Sequence, residues 1–307
     1  MGLATREAYG QAIAKLVLEN EKVVVLDADL TKSTKTADAQ KVCPERHFNM
    51  GIAEGNMIGT AAGFATSGYT VFASTFAMFA TGRAWEQIRN SLAYPNLNVK
   101  VCGTHAGIAV GEDGVSHQAT EDIAIMRAIP NMEVYSPCDG NETKAIIEYV
   151  SKTKTPCYVR LGRSAVDDVF TSEFKYDGKV KVLNQGKDVA IFTTGLMTQA
   201  ALKAKDILKE EGIELTVVNV SSIKPLDING VVEVLNNHKY ILTAEEHNII
   251  GGLGGAICEV ASEYAPKKIK RLGMNDCYGQ SGPFKQLLDI YGLDEKGVVK
   301  AVKELVK

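Results

Sequence analysis

Short apolar runs that alternate with stretches of helical spacing constrain this chain more than any other feature. Runs at 23–26, 69–72, 99–102, 132–136 and 157–161 occupy the first half; runs at 189–192, 215–220, 240–243 and 269–272 occupy the second. Each is too short for a stable helix, and runs such as 23–26 and 189–192 are apolar on both faces, as a strand buried in the middle of a parallel sheet must be. Between them lie helical patterns such as 6–18, and 142–150 after the cap-like Asp139-Gly140-Asn141-Glu142. Strand–helix alternation along the whole length predicts an α/β fold of two doubly wound domains. The segment 171–187 breaks the alternation with mixed charge and turn residues. It divides a first domain at 1–170 from a second, smaller one at 188–307.

Composition removes several classes of function. With 307 residues, 45% hydrophobic and 23% charged, the chain can bury two ordinary cores. A net charge of -3 gives no electrostatic footprint for nucleic acid. Cys43, Cys102, Cys138, Cys157, Cys258 and Cys277 form no C-x-x-C pair and no zinc spacing, so they read as buried free thiols in a reducing compartment. Arg6, Glu7 and Lys15 interrupt the first helix, which excludes a secretory signal, and no run is long enough to span a membrane. A soluble cytoplasmic protein is expected.

Four local patterns carry chemistry. The stretch HFNMGIAEGNMIGTAAG at 47–63 sets one carboxylate, Glu54, between Gly51 and Gly55 at the start of a small-residue helix. Small residues admit a close neighbour, and a poorly solvated acid is raised in pKa and suited to proton transfer. An acid in the first turn also favours the helix dipole with no further role. Phe76 and Phe79, three apart, are either core or a stacking wall for a flat ring. The loop GTHAGIAVGEDGVSHQATED at 103–122 gathers His105, Glu112, Asp113 and His117. Its histidines lie twelve apart, which disfavours a metal and leaves proton transfer or binding of hydroxyls and phosphate. Arg163 follows a strand, where its fork can grip phosphate. The glycines at 251–255 depart from the dinucleotide fingerprint and suit close helix–strand packing better.

Taken together, ATREAYG, LDADLTKST, FNMGIAEGNMIGTAAGFA, FASTFAMF, the 103–122 loop, TPCYVRLGRS, FTTGLMTQA, GGLGGA and GMNDCYGQSG resemble the C-terminal half of transketolases over nearly the whole chain. The resemblance implies a pyrimidine-binding domain followed by a transketolase C-terminal domain. It implies thiamine diphosphate as cofactor and two-carbon ketol transfer from a ketose phosphate to an aldose phosphate as the reaction. The glycine-aspartate-glycine motif that holds the diphosphate and its Mg2+ (or Ca2+) in this family has no match here. A separate transketolase N-terminal subunit is therefore implied as partner, in a heterotetramer of two plus two, with the metal on that partner and none here.

By the same resemblance, Glu54 is the acid that bonds a ring nitrogen of the aminopyrimidine, and Phe76 and Phe79 pack on that ring. His105 and Asp113 contact sugar hydroxyls, with His105 counted as catalytic beside Glu54. Arg6, Ser33, His117 and Arg163 bind the sugar phosphate. Asp29 matches a buried, structural aspartate. Gly82 stands where many relatives carry a third aromatic, and Gly55 where many split subunits carry glutamine. Three other readings share parts of the pattern. They are a deoxyxylulose phosphate synthase, the beta subunit of a 2-oxo acid decarboxylase, and a non-catalytic stabilising subunit.

Overall fold

The computed structural model describes residues 2–307. Twelve strands build two sheets. The first holds β1 (Val23–Asp27), β2 (His47–Asn49), β3 (Thr70–Phe76), β4 (Val99–Thr104), β5 (Glu133–Tyr135) and β6 (Cys157–Arg160). The second holds β7 (Lys181–Asn184), β8 (Val189–Thr193), β9 (Leu215–Asn219), β11 (Tyr240–Asn248) and β12 (Ile269–Met274). The remaining strand, β10 (Ser222–Lys224), comes from the second half of the chain but pairs with β5. The orders are β10-β5-β6-β4-β3-β1-β2 and β12-β11-β8-β9-β7. All pairings are parallel except β10 with β5 and β7 with β9. The fold is α/β with two doubly wound sheets.

The strand period of two distributes side chains to the two faces. Val24 and Leu26 join a core that runs through Met57, Val71, Val101, Phe192 and Ile241, so it spans both sheets. Val23 and Val25 face the opposite side, against Tyr9, Ile13 and Val17 of the helix Thr5–Glu19 and Ile146 and Ile147 of the helix Gly140–Lys152. Every residue of β3 is buried, as covered faces on both sides require. A third core lies on the outer face of the second sheet, around Ile191, Met197 and Val298.

The two halves are fastened by buried polar bonds. Asp139 caps its helix by accepting the Glu142 N–H at 2.7 Å. Glu142 does not close the box on Asp139; it accepts the Cys138 N–H at 2.7 Å and the Asn219 side-chain amide of β9 at 2.8 Å.

Three features differ from the sequence reading. The segment read as a link contains β7, a half-exposed edge strand too polar to announce itself. Asp29 is exposed, at φ 60° in the turn after β1, so its side chain leaves the core; the buried aspartate is Asp27. Burial pushes the Asp27 carboxyl up, but bonds from His47 (2.8 Å), Thr36 (2.7 Å) and Thr31 (3.0 Å) outweigh it and hold the group below its ordinary value. Of the six thiols, Cys277 is exposed and Cys258 half-buried, while the other four are buried.

Candidate active site

Ligands in open α/β sheets meet the carboxyl ends of the strands, and the singled-out residues collect there. Phe76 ends β3, His105 follows β4, and Arg163 lies three residues past β6. Chain after Phe76 passes into a wide-turned helical stretch over Phe79–Arg83, which re-aims the side chains that follow. Phe79 lands parallel to Phe76, with ring centroids 5.8 Å apart and 17° between planes. His105 extends the row on the other side, 4.0 Å from Phe76 and nearly parallel. His117 closes it edge-on, 5.2 Å from Phe79.

Glu54 begins the helix Glu54–Thr66, where it favours the dipole, and it is buried at 4% exposure. Its Oε1 accepts from Arg83 Nη1 at 3.1 Å. The same guanidinium lies over Phe79, 4.1 Å from the ring centroid. Arg83 is 54% exposed on its side chain, so it lies against the site rather than in the core. No side chain crowds it from Gly82, where an added Cβ would meet only Met78 Sδ, at 3.7 Å. The acid thus abuts the aromatic row, and a flat cation already contacts both.

At the far end of the row a second network joins Arg6, Ser33, His105 and Arg163. Arg6 Nη1 donates to the Ser33 carbonyl at 3.0 Å and meets His105 Nε2 at 3.2 Å, while Arg6 Nε donates to the Arg163 carbonyl at 3.2 Å. Ser33 therefore takes part through its backbone. An arginine can only donate, so His105 Nε2 is the acceptor. The proton then sits on Nδ1, which donates to Thr104 Oγ1 at 2.9 Å. Burial first, then Arg6, Arg163 and His117, lower the His105 pKa to about 3. His105 is neutral at physiological pH, with a fixed tautomer and φ 59°. Arg163 Nη1 donates to the Val110 carbonyl, reaches Glu112 at 3.3 Å and lies 4.0 Å from Asp113. Asp113 is exposed and His117 half-buried, with His117 Nδ1 bonded to Ser116 Oγ at 2.9 Å.

All nine singled-out residues therefore share one continuous set of contacts, from Glu54 through Phe79, Phe76 and His105 to Arg6, Arg163 and Asp113. Sequence reasoning missed Arg83, although it follows the departing Gly82 directly. It also missed Thr104, which orients His105. The glycines at 251–255 cradle no separate group: Leu253 and Gly254 donate their N–H to the buried Glu245, at 2.6 and 2.8 Å. Among the described residues no helix is long and apolar enough to cross a membrane.

Residues 1–168 match the family model "Transketolase, pyrimidine binding domain", and residues 178–298 match "Transketolase, C-terminal domain". A protein of Methanocaldococcus jannaschii, provisionally named a transketolase C-terminal section, is 50% identical over 98% of this chain and 96% of its own length. The 6-deoxy-6-sulfo-D-fructose transketolase subunit SqwH of Clostridium sp. is 35% identical over 98% of this chain and 94% of its own. A solved split-gene transketolase, described as an inactive beta4 tetramer, superposes with a TM-score of 0.91 at 50% identity, covering 100% of this chain and 99% of that one. The chain belongs to the transketolase family and carries its pyrimidine-binding domain followed by its C-terminal domain.

Proposed function

We propose that this chain is the C-terminal subunit of a two-chain transketolase. It transfers a two-carbon ketol unit from a ketose phosphate to an aldose phosphate. Thiamine diphosphate is held jointly with a separate N-terminal subunit that carries the diphosphate and its Mg2+ or Ca2+, in an assembly of two chains of each kind. The observation that carries this reading is the single buried acid at the edge of a parallel aromatic row whose other end is basic.

The residues suit the cofactor. Arg83 is flat and cationic, lies on Phe79 and donates to Glu54. A flat, protonated heteroaromatic ring finds the same two surfaces there. When bound, thiamine diphosphate supplies the electron sink that lets a carbon–carbon bond beside a carbonyl break and re-form.

The chain's own residues do the rest. Glu54 meets the ring's edge with a hydrogen bond to a ring nitrogen, and its burial keeps water from competing for that bond. Phe76 and Phe79 exclude water and fix the ring plane. His105, neutral and anchored through Nδ1 to Thr104, offers Nε2 as an acceptor for a sugar hydroxyl once Arg6 turns to the substrate. Arg6, Arg163 and His117 supply positive charge or N–H donors for an anionic group, with Asp113 and the Ser33 hydroxyl as further polar contacts. The SqwH relative is named for a sugar bearing a sulfonate, another anion that an arginine pair suits.

The solved split-gene relative is described as an inactive tetramer of one chain type, which supports a requirement for a partner here. The test is a coupled ketol-transfer assay on sugar phosphates, with the chain alone and mixed with an N-terminal transketolase subunit. Activity only in the mixture is expected. Pyruvate decarboxylation by the mixture, or ketol transfer by the chain alone, overturns the proposal.

A further inference from the structure

The loop that bears His105, Asp113 and His117 is held from the second domain. Glu246 lies buried on β11, and its Oε1 accepts the Ala109 N–H at 2.6 Å, with the Ile108 N–H also directed to it. These amides open the short turn Ile108–Asp113, which has no side-chain cap of its own. The approach is tight. Gly107 sits at φ +75°, and a Cβ there would come within 2.3 Å of the Glu246 carboxylate. From beneath, Arg160 Nη2 donates to the carbonyls of Glu246, at 2.9 Å, and Ala119, at 3.3 Å. Further along, the Asn248 N–H donates to the Thr120 carbonyl at 2.6 Å, and Gln118 Nε2 donates to the Gln280 carbonyl at 2.9 Å. Both ends of the loop are thus fastened to the second domain.

We propose that Glu246 is a positioning residue for the reaction: its buried carboxyl group, reaching across the domain boundary, caps the turn 108–113 and sets His105 and Asp113 against the sugar. This rests on the ketol-transfer reading of the site. It gives the second domain an indirect part in substrate binding, through the loop that Glu246 holds. A buried carboxyl is costly unless its oxygens are engaged, and here two loop amides engage them. Without it those amides face an unfilled space and the turn loses its cap.

The experiment pairs amide hydrogen exchange on the whole chain with kinetics of the mixed enzyme. In Glu246→Ala, exchange at Ile108 and Ala109 is expected to quicken about tenfold or more. The KM for the sugar phosphate should rise by about the same factor while thiamine diphosphate affinity stays within about twofold. Glu246→Gln keeps an acceptor oxygen and should restore most of both. Unchanged exchange in the turn overturns the proposal, as does cofactor affinity that falls in step with KM. If Glu246→Ala does not fold, Glu246→Asp decides, since one methylene fewer withdraws the oxygen from Ala109; a turn as protected as wild type then overturns it. Exchange needs no substrate, so a wild-type mixture without ketol transfer would defeat the functional reading and leave the loop result standing on its own.

Discussion

Arg83 Nη1 lies 3.1 Å from Glu54 Oε1, and the same guanidinium is 4.1 Å above Phe79. The acid and the aromatic face assigned to the cofactor are both engaged by one half-exposed side chain, so cofactor binding has to displace it. An ion pair with one exposed partner is worth little, about 1 kcal/mol or less. Removing it with Arg83→Ala is expected to tighten thiamine diphosphate binding to the mixed enzyme by about two- to fivefold. Titration calorimetry measures this. Weakened binding would make Arg83 a cofactor contact instead of a competitor.

Glu54→Gln keeps the size of the side chain and removes its acid–base capacity. Turnover in the mixed enzyme should fall by about two orders of magnitude or more, with circular dichroism and unfolding midpoint nearly unchanged. Near-normal turnover would remove Glu54 from the chemistry.

His105 is expected to remain neutral, with its proton on Nδ1, from about pH 5 to 8. Nitrogen chemical shifts of the labelled imidazole report both charge and tautomer. A titration near the ordinary value of 6.5 would contradict the network drawn from Arg6 and Thr104. In Arg6→Gln the side chain no longer has to donate to Nε2, and the tautomer should become mixed.

Stability should depend on pH through two buried acids. Burial raises Glu142 and Glu246 from 4.5 to about 7. Between those values the folded chain keeps protons that the unfolded chain has released, so stability falls as pH rises from about 4.5 to about 7. Asp27 acts in the opposite sense at lower pH. Its folded value is depressed, and its contribution is lost as pH falls through that value. Unfolding free energies from urea titrations across this range should decline toward neutral pH, by about 1 kcal/mol or more in all. Glu142→Gln should flatten the decline; an unaltered slope would contradict the assignment.

Much of this was legible because it is local. The runs that became β1 and β8 are apolar on both faces, and the period of two then sets Val24 and Leu26 against one core and Val23 and Val25 against another. Glu54 was visible as an isolated acid among small residues. What stayed hidden depends on distant partners or weak patterns. β7 and β10 are short edge strands whose Lys181, Asn184 and Lys224 read as loop. Asp27 and Asp29 look alike in sequence, and only the left-handed turn after β1 decides which is buried. The tautomer of His105 is set by Arg6, 99 residues away, and the turn after it by Glu246, 137 residues from Ala109. No local spacing announces such pairs.

The most direct test is a crystal structure of this chain with its N-terminal partner and thiamine diphosphate. The expected arrangement has the Glu54 carboxyl group within about 2.6–3.2 Å of a pyrimidine ring nitrogen, the ring against Phe76 and Phe79, and Arg83 swung away. Cofactor bound in the assembly while Glu54 still holds Arg83 would contradict it.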